Sequence, residues 1–189
     1  MAGAASRAGT SGHSNIQLLV AEVAALKERL TEVQDRQEII ELLNRMARGF
    51  DRHDFDLVLS TWHPDGVEEH GNVAGPIIDF VEYTKTYLPN SYRTHSHYVA
   101  NHVIDIDGDV AHFETYTLAA VLRRYGDATE MFGGRYVGRA ERRDGKWGVV
   151  HRTTLGEWGG ALTPLPGWET KTMDLGKGSW DKSDPSYRR

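Results

Sequence analysis

The chain has 189 residues, 22 Lys and Arg against 27 Asp and Glu, and a formal charge of −5. It is long enough for one domain with a sizeable core, and its basic runs are short and broken by Glu141, which leaves no electrostatic footprint for nucleic acid. Absence of cysteine excludes disulfides, thiol catalysis and thiolate metal sites, and no apolar run approaches a membrane span, so a soluble cytoplasmic protein is expected.

Residues 1–13 are rich in Ala, Gly and Ser without the apolar centre of a signal peptide, and read as a disordered leader. A helix is predicted over 14–34. There Leu19, Val23, Leu26, Leu30 and Val33 alternate spacings of four and three, the seam of a coiled coil or of a helix docked in a groove. Such a segment is too short to stand alone, so it needs a surface on the domain or on another subunit.

The domain proper is read as 35–158. Asp35-Arg36-Gln37-Glu38 has the form of a capping box, so a fresh helix is expected there, with Ile39, Leu43, Met46 and Phe50 on one apolar stripe. Gly49 marks close packing or an approaching end. Asp54 suits the N-cap of a short second helix carrying Phe55, Val58, Leu59 and Trp62, which His63-Pro64-Asp65-Gly66 stops. A short strand over 67–70 follows. Pro76 suits the first turn of a third helix over 77–87, ended by Leu88-Pro89-Asn90.

The remainder reads as strands over 94–105, 110–124, 129–142 and 147–158. Asp-Gly-type turns join them into an antiparallel meander. Helices first and a sheet after them indicate α+β. The tail, 159–189, combines Pro and Gly with Trp168 and Trp180, and is expected to cross the surface, over a pocket mouth or onto a neighbouring subunit.

Two stretches carry candidate chemistry: Phe50-Asp51-Arg52-His53-Asp54 and Thr94-His95-Ser96-His97-Tyr98. A fold that brings Asp51 to His97 makes an oriented base, because a carboxylate on one ring nitrogen fixes the tautomer and stabilises the imidazolium. The plain alternatives are a packed histidine and a turn aspartate. A carboxylate at a helix C-terminus opposes the helix dipole, which calls for a compensating partner. His95 and His97 share a strand face, so a metal pair completed by His70, His112 or Glu114 is the rival reading, although no third ligand stands at a diagnostic spacing. No metal is therefore assigned. On the strand over 110–124, His112, Glu114 and Tyr116 share one face and Phe113 and Thr115 the other, with the inward face open. Tyr136 has the same status. Trp62 suits either a pocket wall or plain core. Arg152 and His151 point oppositely, so only one of them faces inward.

In order and spacing these pieces resemble the SnoaL-like branch of the nuclear transport factor 2-like superfamily, over about 35–158. Asp35 to Ile40 resembles the start of its first core helix and Phe50 to Asp54 its end. Ser60-Thr61-Trp62 with Asp65-Gly66 resembles the second helix and its exit. His97-Tyr98 with Asn101 resembles the strand bearing the catalytic histidine, and Glu141 to Trp147 the last hairpin. That branch holds scytalone dehydratase, a bile acid 7α-dehydratase and the lindane dehydrochlorinase, and some members are thought to release formaldehyde from lignin-derived diaryl compounds.

The resemblance implies a cone-shaped α+β barrel, with helices packed in a strongly curved antiparallel sheet. It implies a cofactor-free lyase in which Asp51 and His97 form the dyad and Arg152 faces the pocket. Trp62, Tyr98, Tyr116 and Tyr136, with Phe132, are expected around a hydrophobic aromatic or polycyclic substrate. A homotrimer is implied too. The water-holding tyrosine pair of scytalone dehydratase has no match here. Water or formaldehyde is the expected leaving group, and halide loss or isomerisation would use the same base. A non-catalytic binding module, like the small subunits of ring-hydroxylating dioxygenases, is the alternative from another class.

Overall fold

No Gly or Pro occurs between His13 and Arg48, and strong helix formers dominate that span. In the computed structural model, which describes residues 8–126, 128–163 and 178–187, this span lies in one helix, α1 (Ala8–Asp51). The fresh start expected at Asp35 is therefore corrected: Asp35 to Glu38 are tolerated inside a helix, and nothing there forces a break. A boundary does exist nearby in packing, because the chain divides at Gln37/Glu38 into two compact units. In the first unit Ile16, Leu19, Val23, Leu26, Leu30 and Val33 are exposed. In the second, Ile39, Leu43, Met46 and Phe50 are buried as one stripe.

The end of α1 is set by His53, whose φ of 50° leaves the helical region, while the Asp54 N–H donates back to the Gly49 carbonyl. Asp54 then caps α2 (Phe55–Leu59) by accepting from the Leu57 N–H at 3.3 Å. Gly49 lies where α2 crosses: a Cβ there would stand 2.6 Å from Val58 Cγ2.

Among the described residues there follow β1 (Trp62–His70), β2 (Val73–Pro76), α3 (Ile77–Ser91), β3 (Tyr92–Asp107), β4 (Val110–Arg123), β5 (Thr129–Arg143) and β6 (Lys146–Leu162), with a 3₁₀ turn at Pro185–Tyr187. β1 starts five residues earlier than expected. A register shift between Trp62 and Val67 lets Pro64 and Gly66 pass without ladder bonds. α3 outruns Leu88-Pro89-Asn90, with Pro89 in its last turn. The turn expected at Tyr125-Gly126-Asp127 includes Asp127, and much of the tail, Trp168 among it, lies outside the described residues.

The strands form one curved, unclosed sheet in the order β2-β1-β6-β5-β4-β3. The four long strands make the antiparallel meander expected, and β1 adds to β6 in parallel. Strands of 14–17 residues are long enough that they must twist and bend. The bending is concentrated at register shifts, among them Ala100/Val103, Gly133/Gly134 and Arg139/Ala140. The glycines allow it: a Cβ on Gly134 would overlap the Leu155 carbonyl oxygen at 2.0 Å. Ile77, Phe80 and Val81 of α3 join Leu43, Met46 and Phe50 of α1 in a core closed by Ile104, Phe113, Val121, Ala140 and Val149 of the sheet. Among the described residues no helix is long and apolar enough to cross a membrane.

Helix propensity alone favours Gly49→Ala by about 1 kcal/mol. The contact with Val58 reverses that sign, because overpacking a core costs about 1–3 kcal/mol. Urea denaturation of Gly49→Ala is expected to show a lower midpoint at an unchanged slope, a net loss of up to about 2 kcal/mol.

Candidate active site

Asp51 is the last residue of α1, and its carboxylate meets β3 edge-on. It accepts the His97 backbone N–H, at 2.9 Å to Oδ2 and 3.1 Å to Oδ1, and the His97 Nδ1–H at 2.7 Å. Burial opposes the charge, but the nearby His95 ring and the hydrogen bonds from His97 outweigh it and pull the Asp51 pKa down to about 2. The His95 contact is the weaker one. Its Nδ1 stands 3.4 Å from Asp51 Oδ1, without hydrogen-bond geometry, so it is an electrostatic approach.

His95 is 1% exposed, and its Nε2 lies 3.0 Å from His53 Nε2. Burial, with the charges of His95 and Arg52, holds the His53 pKa near 4, so His53 is neutral through the physiological range. Trp180 stacks on His53 at 4.1 Å between ring centroids. The described end of the tail is tied there by Asp184 to Arg52 at 3.3 Å and by the Tyr187 hydroxyl donating to Asp54 at 2.7 Å. Residues 178–187 thus pack against the end of α1 and the N-cap of α2.

His95 and His97 line a cavity of about 570 Å³ between the helices and the concave face of the sheet. Phe50, Phe80, Leu88, Val121, Phe132 and Tyr136 give it apolar walls. At one side the Tyr92 and Tyr87 hydroxyls pair at 3.1 Å, and burial, then that bond, raises the Tyr92 pKa. At another side is an ion pair. Arg152, 3% exposed, donates from Nε and Nη2 to Glu68 at 2.7 and 3.0 Å, and Glu68 is fully buried. Thr154 and His70 also reach Glu68 Oε1, at 3.1 and 3.3 Å. The remaining Arg152 nitrogen, Nη1, points at the Met46 sulfur at 2.8 Å, and the guanidinium lies 4.3 Å over the Tyr136 ring. Burial disfavours both charges, yet each ion stabilises its partner, so Glu68 is shifted down and Arg152 up.

Of the residues singled out from sequence, the structure brings Asp51 to His97 and places His97, Arg152 and Tyr136 in the cavity wall. Tyr98 and Tyr116 are not brought there. They are 60% and 45% exposed, alternating with the inward His97 and with Thr115 and Thr117, so they stand on the convex face. Glu114 is also convex, 3.3 Å from Arg135, and His112 lines an outer groove with Glu69 and His151. Trp62 is buried core behind Arg152, 5.7 Å from its guanidinium. Sequence reasoning missed Glu68, the His53–His95 contact and the Tyr87–Tyr92 pair. Only His53 carried a signal, its closeness to Asp51 in the chain.

A metal could draw on Asp51, His95 and His97, whose donor atoms lie within 4.8 Å of one another. Ligands about 2.0–2.2 Å from a zinc ion stand roughly 3.3–3.5 Å apart. The 2.7 Å between His97 Nδ1 and Asp51 is instead a hydrogen-bond distance. The cluster as folded therefore fits a proton better than an ion.

Glu68→Ala leaves a buried guanidinium unpaired and is expected to cost about 3–5 kcal/mol in urea denaturation, whereas the double replacement Glu68→Leu with Arg152→Met costs much less. The depressed Asp51 pKa gives a second expectation. Its folded value, about 2, lies below the ordinary 3.8, so its stabilisation is complete above about pH 4 and vanishes as pH falls toward 2. The stability gap between wild type and Asp51→Asn, on the order of 2 kcal/mol near neutral pH, is expected to close over that window in acid titrations.

No curated protein sequence matches the chain. Solved structures do. Hexachlorocyclohexane dehydrochlorinase LinA type 2 superposes with a TM-score of 0.67 at 18% identity, over 72% of this chain and 94% of that one. LinA type 3 from Novosphingobium barchaimii gives 0.66 at 17%, over 72% and 98%. A candidate scytalone dehydratase from Novosphingobium aromaticivorans gives 0.63 at 17%, over 72% and 96%. At such identities the likeness is one of fold. The model of the SnoaL-like domain matches residues 31–153, and the chain therefore belongs to the SnoaL-like domain family of the nuclear transport factor 2-like superfamily.

Proposed function

We propose that the protein is a cofactor-independent lyase in which His97, oriented by Asp51, removes a proton from a hydrophobic aromatic or polycyclic small molecule. The observation that carries this reading is the 2.7 Å bond from His97 Nδ1 to a buried carboxylate in the wall of a mainly apolar cavity of about 570 Å³. With Nδ1–H committed to Asp51, the lone pair of the neutral ring lies on Nε2. His95 has no such freedom: its Nδ1 faces Asp51 and its Nε2 is taken up by His53. Of the two cavity-lining histidines on β3, His97 keeps an unused basic nitrogen. Asp51 stays anionic down to about pH 2, ready to stabilise the imidazolium.

In the proposed elimination, the C–H electron pair becomes the new double bond as the leaving group departs from the neighbouring carbon. The proton rests on His97 and returns to the departing hydroxide as water. A hydroxymethyl substrate would lose its O–H proton instead. Its C–O bond becomes the carbonyl of formaldehyde, the C–C electrons form the alkene, and hydroxide leaves from the next carbon. Halide loss and double-bond migration need only the same first step. Arg152 suits the departing oxygen or halide, because Met46 sulfur is a weak acceptor and a substrate can take over Nη1–H. The Glu68 partner makes Arg152 a fixed dipole in the wall rather than a free charge. A base so placed contributes about 10²- to 10⁴-fold in rate. LinA, by its name, removes hydrogen chloride from hexachlorocyclohexane, chemistry of this kind on the same fold.

The test is mass spectrometry of hydrophobic alcohols, diaryl diols, steroids and halides incubated with metal-stripped protein. Release of water, formaldehyde or hydrogen halide is expected with wild type, and a loss of at least about 10²-fold with His97→Ala whose circular dichroism is unchanged. A folded His97→Ala turning over at the wild-type rate would end the reading. Ligand retained unchanged by both proteins would establish a binding module.

A further inference from the structure

The unit that ends at Gln37 carries an apolar stripe out of proportion to its size. Ile16, Leu19, Val23, Leu26, Leu30 and Val33 are each between 49% and 65% exposed. Their spacings run 3, 4, 3, 4, 3, a period of 3.5 residues, with Leu18 and Val20, 66% and 63% exposed, beside the stripe at its N-terminal end. A stripe that docks on a globular surface is broad and follows a 3.6-residue period. A strict 3.5-residue stripe keeps facing a partner only if that partner is a helix coiling with it.

We propose that this stripe is the seam of a two-stranded parallel coiled coil with a second copy of the chain. Ile16, Val23 and Leu30 occupy one set of core positions, and Leu19, Leu26 and Val33 the other. In the first two heptads a β-branched residue is followed by leucine, the arrangement that favours two parallel strands, whereas Leu30 and Val33 in the third reverse that order. The next core position is Gln37, exposed and polar. In register it meets its own copy and can hydrogen-bond to it, whereas a shifted register would set it against apolar side chains. Flanking the seam, Glu22 of one copy faces Lys27 of the other, twice per dimer. Most of the stability of an amphipathic helix comes from packing its apolar face, so the partner that covers the stripe also stabilises the helix.

The full chain has no cysteine, so single Val23→Cys and Leu30→Cys variants report on the seam without background. Each is expected to form a disulfide with its own copy under mild oxidation, because only a parallel, in-register pair puts both residues opposite themselves. Sedimentation equilibrium is expected to show Lys27→Glu weakening the association about tenfold through two like-charge contacts, with Glu22→Lys added to Lys27→Glu restoring it. Failure of both cysteines to cross-link would overturn the proposal. So would association unaffected by Leu19→Asp with Leu26→Asp, or cross-linking only between Val23→Cys and a Leu26→Cys chain, the antiparallel result. Three chains per cross-linkable assembly would overturn the two-stranded state.

Discussion

A carboxylate at the C-terminal end of a helix faces the negative pole of the helix dipole, and a buried one loses its hydration as well. Asp51 bears both costs. The compensation comes from one strand: the His97 backbone N–H, the His97 ring N–H and the nearby edge of the His95 ring. The same contacts fix the end of α1 against β3, so the site and the packing of helix on sheet are one arrangement. What the proposed dyad needs, a buried carboxylate bonded to an imidazole, is also what holds the end of α1 against β3.

The second polar feature of the cavity is built on another logic. Glu68 and Arg152 are neighbours because β1 pairs with β6 in parallel, which sets Glu68 opposite Arg152. Neither ion is tolerable alone at that depth, and together they present little net charge. The cavity therefore combines apolar walls with a strong dipole beside His70, while His97 enters the wall from β3 at the far edge of the sheet. Under the proposed function, this separation suits a neutral substrate with a polar group at one end. A wall with an unpaired arginine would instead select for an anion.

How far the sequence could be read follows from which contacts are local. The helix stripes, the four long strands and their turns are written in periodicity and in Asp-Gly pairs, and the fold was legible from them. Asp51 and His97 were legible as a pair through the resemblance. Glu68 was not, because its partner lies 84 residues away across a parallel pairing that no meander implies. Tyr98 and Tyr116 misled because alternation tells which residues share a face and not which face is concave. His95 and His97 look equivalent in sequence. Only the approach of His53, at the left-handed residue that ends α1, separates the committed imidazole from the free one.

One irregularity lets β3 serve two purposes. His95, His97 and Val99 face inward near the cavity, at odd positions, whereas Ile104 and Ile106 face inward at the core end, at even ones. A regular strand cannot do both, since side chains alternate with period two. The register shift between Ala100 and Val103 supplies the missing step, with Asn101 at a φ of 51°. The bulge leaves backbone groups without ladder partners, and Thr115 meets one of them: its hydroxyl donates to the Ala100 carbonyl at 2.9 Å and lies 2.7 Å from His102 Nδ1. Burial keeps the His102 pKa low, so this support is neutral and adds no charge beside the core. A strand without the bulge could place the histidines in the cavity or the isoleucines in the core, but not both.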